Sequence, residues 1–164
     1  MEKEKNIVYY YSVMYNLILI TFRRTNEMAV IDELLRSESN GNISFGNHEL
    51  AAKAKLEDYE HAGDMYKVKT FQAMTKLEKN GLFLYESVPG TSVHNFCESE
   101  SGISFTVEGS QDAQITVGTE DDCEYEVIVA GESAGVMKTN LSGKLSISVE
   151  LEGSGEVAVK IIKK

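Results

Sequence analysis

Lys144-Leu-Ser-Ile-Ser-Val-Glu-Leu151 alternates without a break: Leu145, Ile147, Val149 and Leu151 are apolar, while Lys144, Ser146, Ser148 and Glu150 are polar. Successive side chains of a strand point to opposite faces, so a period of two predicts a strand with one face buried and one in water. Coiled into a helix, the same residues would scatter their apolar side chains around the cylinder and leave no stripe to bury.

The same period runs outward through the chain. Val157, Val159 and Ile161 follow it, as do Tyr125, Val127 and Val129, Ala113, Ile115 and Val117, and Ile103, Phe105 and Val107. Towards the N-terminus it recurs at Phe83 and Tyr85, at Tyr66, Val68 and Thr70, and at Ile43 and Phe45. Turn residues fall between the runs: Asn80-Gly81, Pro89-Gly90, Ser101-Gly102, Glu108-Gly109, Ala130-Gly131, Ser142-Gly143 and Gly153-Ser-Gly155. Short, half-buried strands separated by such turns predict an all-β chain, an antiparallel β-sandwich with Phe105, Val107, Ile115, Val127, Ile147 and Val159 in its core.

Three stretches read differently. Met28–Arg36 has apolar residues at 30, 31, 34 and 35, a helical spacing, and predicts a short N-terminal amphipathic helix. Leu50–Glu60 has helix-forming composition, but Ala52, Ala54, Leu56 and Asp58 alternate with Lys53, Lys55 and Glu57, which predicts a strand. Gln72–Lys79 fits either state. The polar junction Glu98–Ser101 reads as a hairpin loop within one domain spanning 28–164; the alternative is a division into two layers near 98–102.

Residues 1–27 differ from the rest. The run 6–22 is uncharged, and Arg23-Arg24 follow it. Phe, Tyr, Met, Ile, Asn and Lys, whose codons are AT-rich, make up 15 of these 27 residues but 38 of the remaining 137. Arg-Arg can be written as a ribosome-binding sequence, three codons ahead of Met28. Residues 1–27 are therefore read as translated upstream leader, with Met28 as the start. The alternatives are a membrane anchor or signal, for which 17 residues diluted by Asn6, Ser12 and Asn16 are short, or a buried N-terminal element. Under the first reading the domain is placed in the cytoplasm; under the second it is membrane-anchored or secreted, and membrane contact follows only then.

Composition narrows the chemistry. The 164 residues carry a net charge of -10, and residues 28–164 hold 12 basic and 23 acidic side chains, a sign that repels a phosphate backbone and argues against nucleic acid. Cys97 and Cys123 are too few for a disulfide framework or a four-cysteine zinc site and read as free thiols. His61 stands among Glu57, Asp58, Glu60 and Asp64, and His48 beside Glu49, but neither has metal-ligand spacing. His94 is a third loop-proximal imidazole. Glu120-Asp-Asp122 with Glu124 lacks a calcium-loop pattern and reads as solvated loop. No glycine-rich loop opens a helix, so no nucleotide cofactor is expected. Tyr66 and Tyr85 read as core, although with Tyr59 they would suit a sugar-stacking platform if they faced out. No residue is assigned a catalytic, cofactor or metal role.

Glu124-Tyr-Glu-Val-Ile-Val129 followed by Thr139-Asn-Leu-Ser-Gly-Lys144 resembles the Ig-like modules that accompany bacterial secreted and glycan-active enzymes. That resemblance implies an Ig-like fold for the C-terminal half and says nothing of activity. Ser44-Phe-Gly46, Tyr66–Thr70, Thr75–Gly81, Leu84–Thr91, Phe105–Gly109 and Asp112–Val117 resemble a group of small clostridial proteins, some of which carry the label endosialidase. The label implies recognition of a carboxylate sugar. Sialidases generally use an arginine cluster for this, because a guanidinium binds a carboxylate bidentately. Residues 28–164 contain one arginine, Arg36, and the composition opposes that activity. The sequence reading is thus an acidic, bacterial, non-catalytic interaction or assembly module, a homo-oligomer being one form of it, with a glycan-active or glycan-binding protein as the alternative.

Overall fold

The computed structural model describes residues 30–164. They form thirteen strands: β1 (Leu35–Ser37), β2 (Ile43–Phe45), β3 (Ala54–His61), β4 (Asp64–Phe71), β5 (Met74–Lys79), β6 (Leu82–Val88), β7 (Ser92–Ser99), β8 (Gly102–Glu108), β9 (Ala113–Gly118), β10 (Glu124–Val129), β11 (Glu132–Lys138), β12 (Lys144–Val149) and β13 (Val157–Lys163). One sheet has the order β1-β2-β7-β8-β13-β10-β11, and the other β12-β9-β6-β5-β4-β3. Every pair between neighbouring strands is antiparallel.

Alternation sets which face each strand buries. The six expected core residues, Phe105, Val107, Ile115, Val127, Ile147 and Val159, are all buried, and they belong to one apolar cluster drawn from both sheets. At its centre Phe45 meets Tyr85 edge-on at 5.2 Å between ring centroids, and Phe96 stacks on Phe105 at 5.6 Å. Turn chemistry places the hairpins: Asn80-Gly81 and Ala130-Gly131 have positive φ at both positions, the geometry that matches the twist of two-residue β-hairpins.

The helix expected over Met28–Arg36 is not seen among the described residues, which exclude 28 and 29. Residues 30–34 are turn and bend, and Leu35–Ser37 is β1. Ile31 and Leu35 are buried; Leu35 joins the core cluster by pairing with β2, while Ile31 is held outside that ladder. The Ile31 amide donates to the Gly46 carbonyl at 3.0 Å, and the Gly46 amide to the Leu34 carbonyl at 2.9 Å. Leu34 takes a φ of 70°, outside the right-handed helix.

Leu50–Glu60 contributes a strand from Ala54 only. A bulge between Leu56 and Tyr59, with Asp58 at φ 56°, shifts the alternation so that Tyr59 turns inward and Asp58 stays exposed. Gln72–Lys79 is the turn into β5 plus that strand. Glu98–Ser101 closes the β7–β8 hairpin, and both sheets take strands from either side of it. The readings of residues 1–27 as leader, anchor or signal lie outside the described residues.

Candidate functional site

Loops from both sheets converge at one end of the sandwich. The β5–β6 turn, the β7–β8 hairpin, the β9–β10 loop and the β11–β12 loop enclose a groove of about 600 Å³, lined among others by Lys79, Phe83, Glu98, Glu120, Tyr125 and Lys144. Its charges are largely tied down. Lys79 Nζ lies 3.1 Å from Glu98 Oε1 and 3.6 Å from Asp64 Oδ2. Glu120 is paired with Lys163, whose hydrogen bond and charge hold its carboxyl below the usual range. Lys144 Nζ sits over the Phe83 ring, 4.4 Å from its centroid.

The Thr139–Lys144 motif is a brace for this end. The Thr139 hydroxyl accepts from the Cys123 amide at 3.0 Å and donates to the Glu120 carbonyl at 2.7 Å. Asn140 Oδ1 accepts from the Ser142 amide at 2.9 Å and the Lys144 amide at 3.2 Å, an Asx turn leading into β12. Gly143 has φ 69°, and a Cβ there would lie 2.2 Å from the Thr119 carbonyl oxygen, so the turn requires glycine. The motif that prompted the Ig-like resemblance therefore has a local structural task.

A buried polar network occupies the opposite end of the same strands. Thr70 and Thr75 share a hydrogen bond of 2.8 Å, and the Thr75 hydroxyl donates to the Thr91 carbonyl at 2.7 Å. The Thr91 hydroxyl meets both Tyr85 Oη and Ser87 Oγ at 2.7 Å. Burial raises the Tyr85 pKa. On the other face of β7, Ser92 Oγ lies 2.7 Å from His48 Nδ1, with both residues buried. His94 Nε2 and Glu108 Oε2 are buried without a hydrogen-bond partner among the described residues. Burial, then the nearby Glu156 charge, raises the Glu108 pKa. A serine–imidazole contact can prime a nucleophile only where substrate reaches the hydroxyl, and Ser92 is fully buried. The contact therefore packs and satisfies polar groups. Thr70 and Tyr85 fall on the inward positions that alternation gives; Thr75, Ser87, Thr91 and Ser92 escape sequence reading because isolated threonines and serines read as outward-facing.

Other residues singled out in the sequence fall as follows. His61 spends both ring nitrogens on the β1–β2 region, Nδ1 on Ser37 Oγ at 2.7 Å and Nε2 on the Gly41 carbonyl at 2.9 Å. Glu57 pairs with Lys55 and Lys67 instead. Tyr59 Oη accepts from the Ser37 amide, while Tyr66 and Tyr85 lie in the core. Arg36 pairs with Glu33 and Glu38. Cys97 and Cys123 are free thiols. Among the described residues no three metal-binding side chains converge, and no helix is long and apolar enough to cross a membrane.

His48 gives a pH test. Burial, opposed by Glu49 and reinforced by His94, lowers its pKa from the ordinary 6.5. The unfolded chain then binds a proton more readily than the folded one, so this stability is complete above pH 6.5 and is lost as pH falls through the folded-state value. We expect the His48 ring proton to titrate below 6.5 by NMR. We also expect the stability advantage of the wild type over His48→Gln to shrink on acidification; a His48 midpoint at or above 6.5 would contradict the burial argument.

The free edges are the remaining feature. Among the described residues β1, β11, β3 and β12 each have one strand neighbour. β11 is exposed on nearly every residue, with Val136 at 54%, and Leu141 in the loop leading to β12 is exposed at 89%. No protein-family model, curated protein or solved structure matches the chain.

Proposed function

We propose that this chain is a non-catalytic β-sandwich module that works by interaction or assembly. The observation supporting this is the open β11–β12 corner, where two edge strands flank a loop carrying exposed Leu141. An exposed edge offers unpaired backbone donors and acceptors to another strand, a standard mode of recognition. The distribution of β8–β13 over both sheets supports reading the C-terminal half as Ig-like. The net charge favours a protein partner over a nucleic acid, and we propose kinship with the small clostridial proteins that the sequence resembles.

The second reading, a glycan-binding or glycan-active protein, draws on the groove with its glutamates and Tyr125. Glycoside hydrolysis needs one carboxyl held protonated as a general acid. Glu120 is instead held ionised by Lys163, and Glu98 is paired with Lys79, an arrangement that suits binding better than hydrolysis. Two measurements separate the readings: the native mass of the protein in extracts of its own host, and binding of the purified chain to a glycan array. A mass well above 18.2 kDa with an empty array supports assembly. A monomeric mass with selective glycan binding that Lys144→Ala abolishes would replace that reading with the second. Release of sialic acid from polysialic acid would overturn the non-catalytic assignment.

A further inference from the structure

We propose that two copies of this chain join through β12, antiparallel about a two-fold axis at Ile147, so that two six-stranded sheets become one. This rests on the assembly reading and specifies its site and partner.

The four edges are not equivalent. β1 is three residues long. β3 is broken by the bulge at Asp58 and presents Lys55, Glu57 and Glu60 to solvent. β11 is broken where Gly135, at φ 100°, opposes Val127 beside a register shift. Bulges and charges of this kind are how sheets refuse an incoming strand. β12 has no bulge and carries charge only at its end: its six residues pair with β9 in unbroken register.

Backbone parity then selects which groups face outward. The Thr119 amide donates to the Gly143 carbonyl, and this pair continues the register in which Leu145 faces Val117, Ile147 faces Ile115 and Val149 faces Ala113. In an antiparallel ladder every second pair exchanges hydrogen bonds. Leu145, Ile147 and Val149 therefore bond to β9, while Ser146 and Ser148 direct their amides and carbonyls to the free side. The Lys144 amide, on that same side, is already taken by Asn140 Oδ1, which leaves its carbonyl.

The side chains fit a second copy. Ser146 and Ser148 are small and lie against β9, bonded to Thr116 at 2.8 Å and Gln114 at 2.7 Å, so no charge or bulk guards the middle of the edge. Charges stand only at its ends, Lys144 and Glu150, neither in an ion pair among the described residues. An axis at Ile147 places Lys144 opposite Glu150 of the second copy, twice, and Ser146 opposite Ser148. These are the residues whose backbone groups point outward, so hydrogen bonding permits this register and charge pairing selects it. Moving the axis one residue, to Ser146, sets Lys144 against Ser148 and leaves Glu150 unmatched. The chosen axis also carries exposed Leu141 towards the Glu150–Gly155 turn of the other copy.

The test is sedimentation equilibrium of the full chain over a wide concentration range. The expected result is a reversible monomer–dimer equilibrium. Lys144→Glu and Glu150→Lys should each weaken it about tenfold, and the double variant should restore it. Ser146→Pro, which removes an amide not used by β9, should give a monomer whose unfolding midpoint stays near wild type. A chain monomeric at every concentration overturns the proposal. So does a dimer indifferent to Ser146→Pro or to the charge reversals, but that result leaves the assembly reading standing through another surface. A monomer that is also monomeric in host extracts overturns both.

Discussion

Replacing Phe45 with alanine is expected to cost about 4 kcal/mol, the range for deleting a fully buried aromatic ring. Phe45 is 0% exposed and lies on β2, a strand of only three residues. Its ring is held edge-on by Tyr85 at 5.2 Å, a contact that joins the two sheets, and by Phe96 at 5.7 Å on the neighbouring strand of its own sheet. Tyr85 cannot easily move into the space left, because its hydroxyl is anchored to Thr91. The cavity should therefore persist rather than collapse, and the loss should sit at the upper part of the range. With a total stability of roughly 5–15 kcal/mol typical of such domains, the variant should be marginal at room temperature. Urea unfolding followed by tyrosine fluorescence reads this directly. A midpoint within about 1 kcal/mol of wild type would mean the aromatic cluster is not the centre of the core.

Gly102→Ala should be about as damaging for a different reason. Gly102 opens β8 at φ 137°, where a side chain is strained, and a Cβ there would stand 1.8 Å from the Ile161 carbonyl oxygen. That oxygen belongs to backbone, so the β8–β13 pairing must give way around Gly102 and Ile162. We expect a loss of about 3 kcal/mol or more from strain and lost pairing together. Gly131→Ala is the control. Gly131 also has positive φ, 80°, but nothing lies within 4 Å of its Cβ position, so only the conformational cost of about 1–2 kcal/mol applies. Equal losses at the two positions, measured by calorimetry, would show that close packing at β8–β13 is not what demands glycine.

These two residues show where sequence reading succeeds and where it stops. Phe45 was legible as an inward residue because Asn42, Ile43, Ser44 and Phe45 alternate. Gly102 was legible as a turn residue, but nothing local announced that the Ile161 carbonyl would crowd it from a strand nearly sixty positions away. The groove was illegible for the same reason. Lys79, Glu98 and Lys144 stand at or near the ends of three different strands and Glu120 in the β9–β10 loop, and only sheet order brings them to one end. The Ser92–His48 contact likewise joins residues 44 apart.

The sequence by itself determined that the described chain is mostly β, where β2, β4, β6, β8, β9, β10, β12 and β13 lie, and which side chains those strands turn inward; no alternating run marks β7 or β11, the β1 region reads as helix, and β5 fits either state. Those properties follow from a two-residue period and from turn residues that tolerate positive φ, and both act over a few positions. Only the tertiary structure decided that β13 inserts between β8 and β10, that residues 30–34 turn rather than coil, and that β12 is left at an edge. Alternation is satisfied equally well whichever strand lies alongside. The choice among neighbours is made by the requirement that two sheets cover each other's apolar faces at once, and that requirement is written in no single segment.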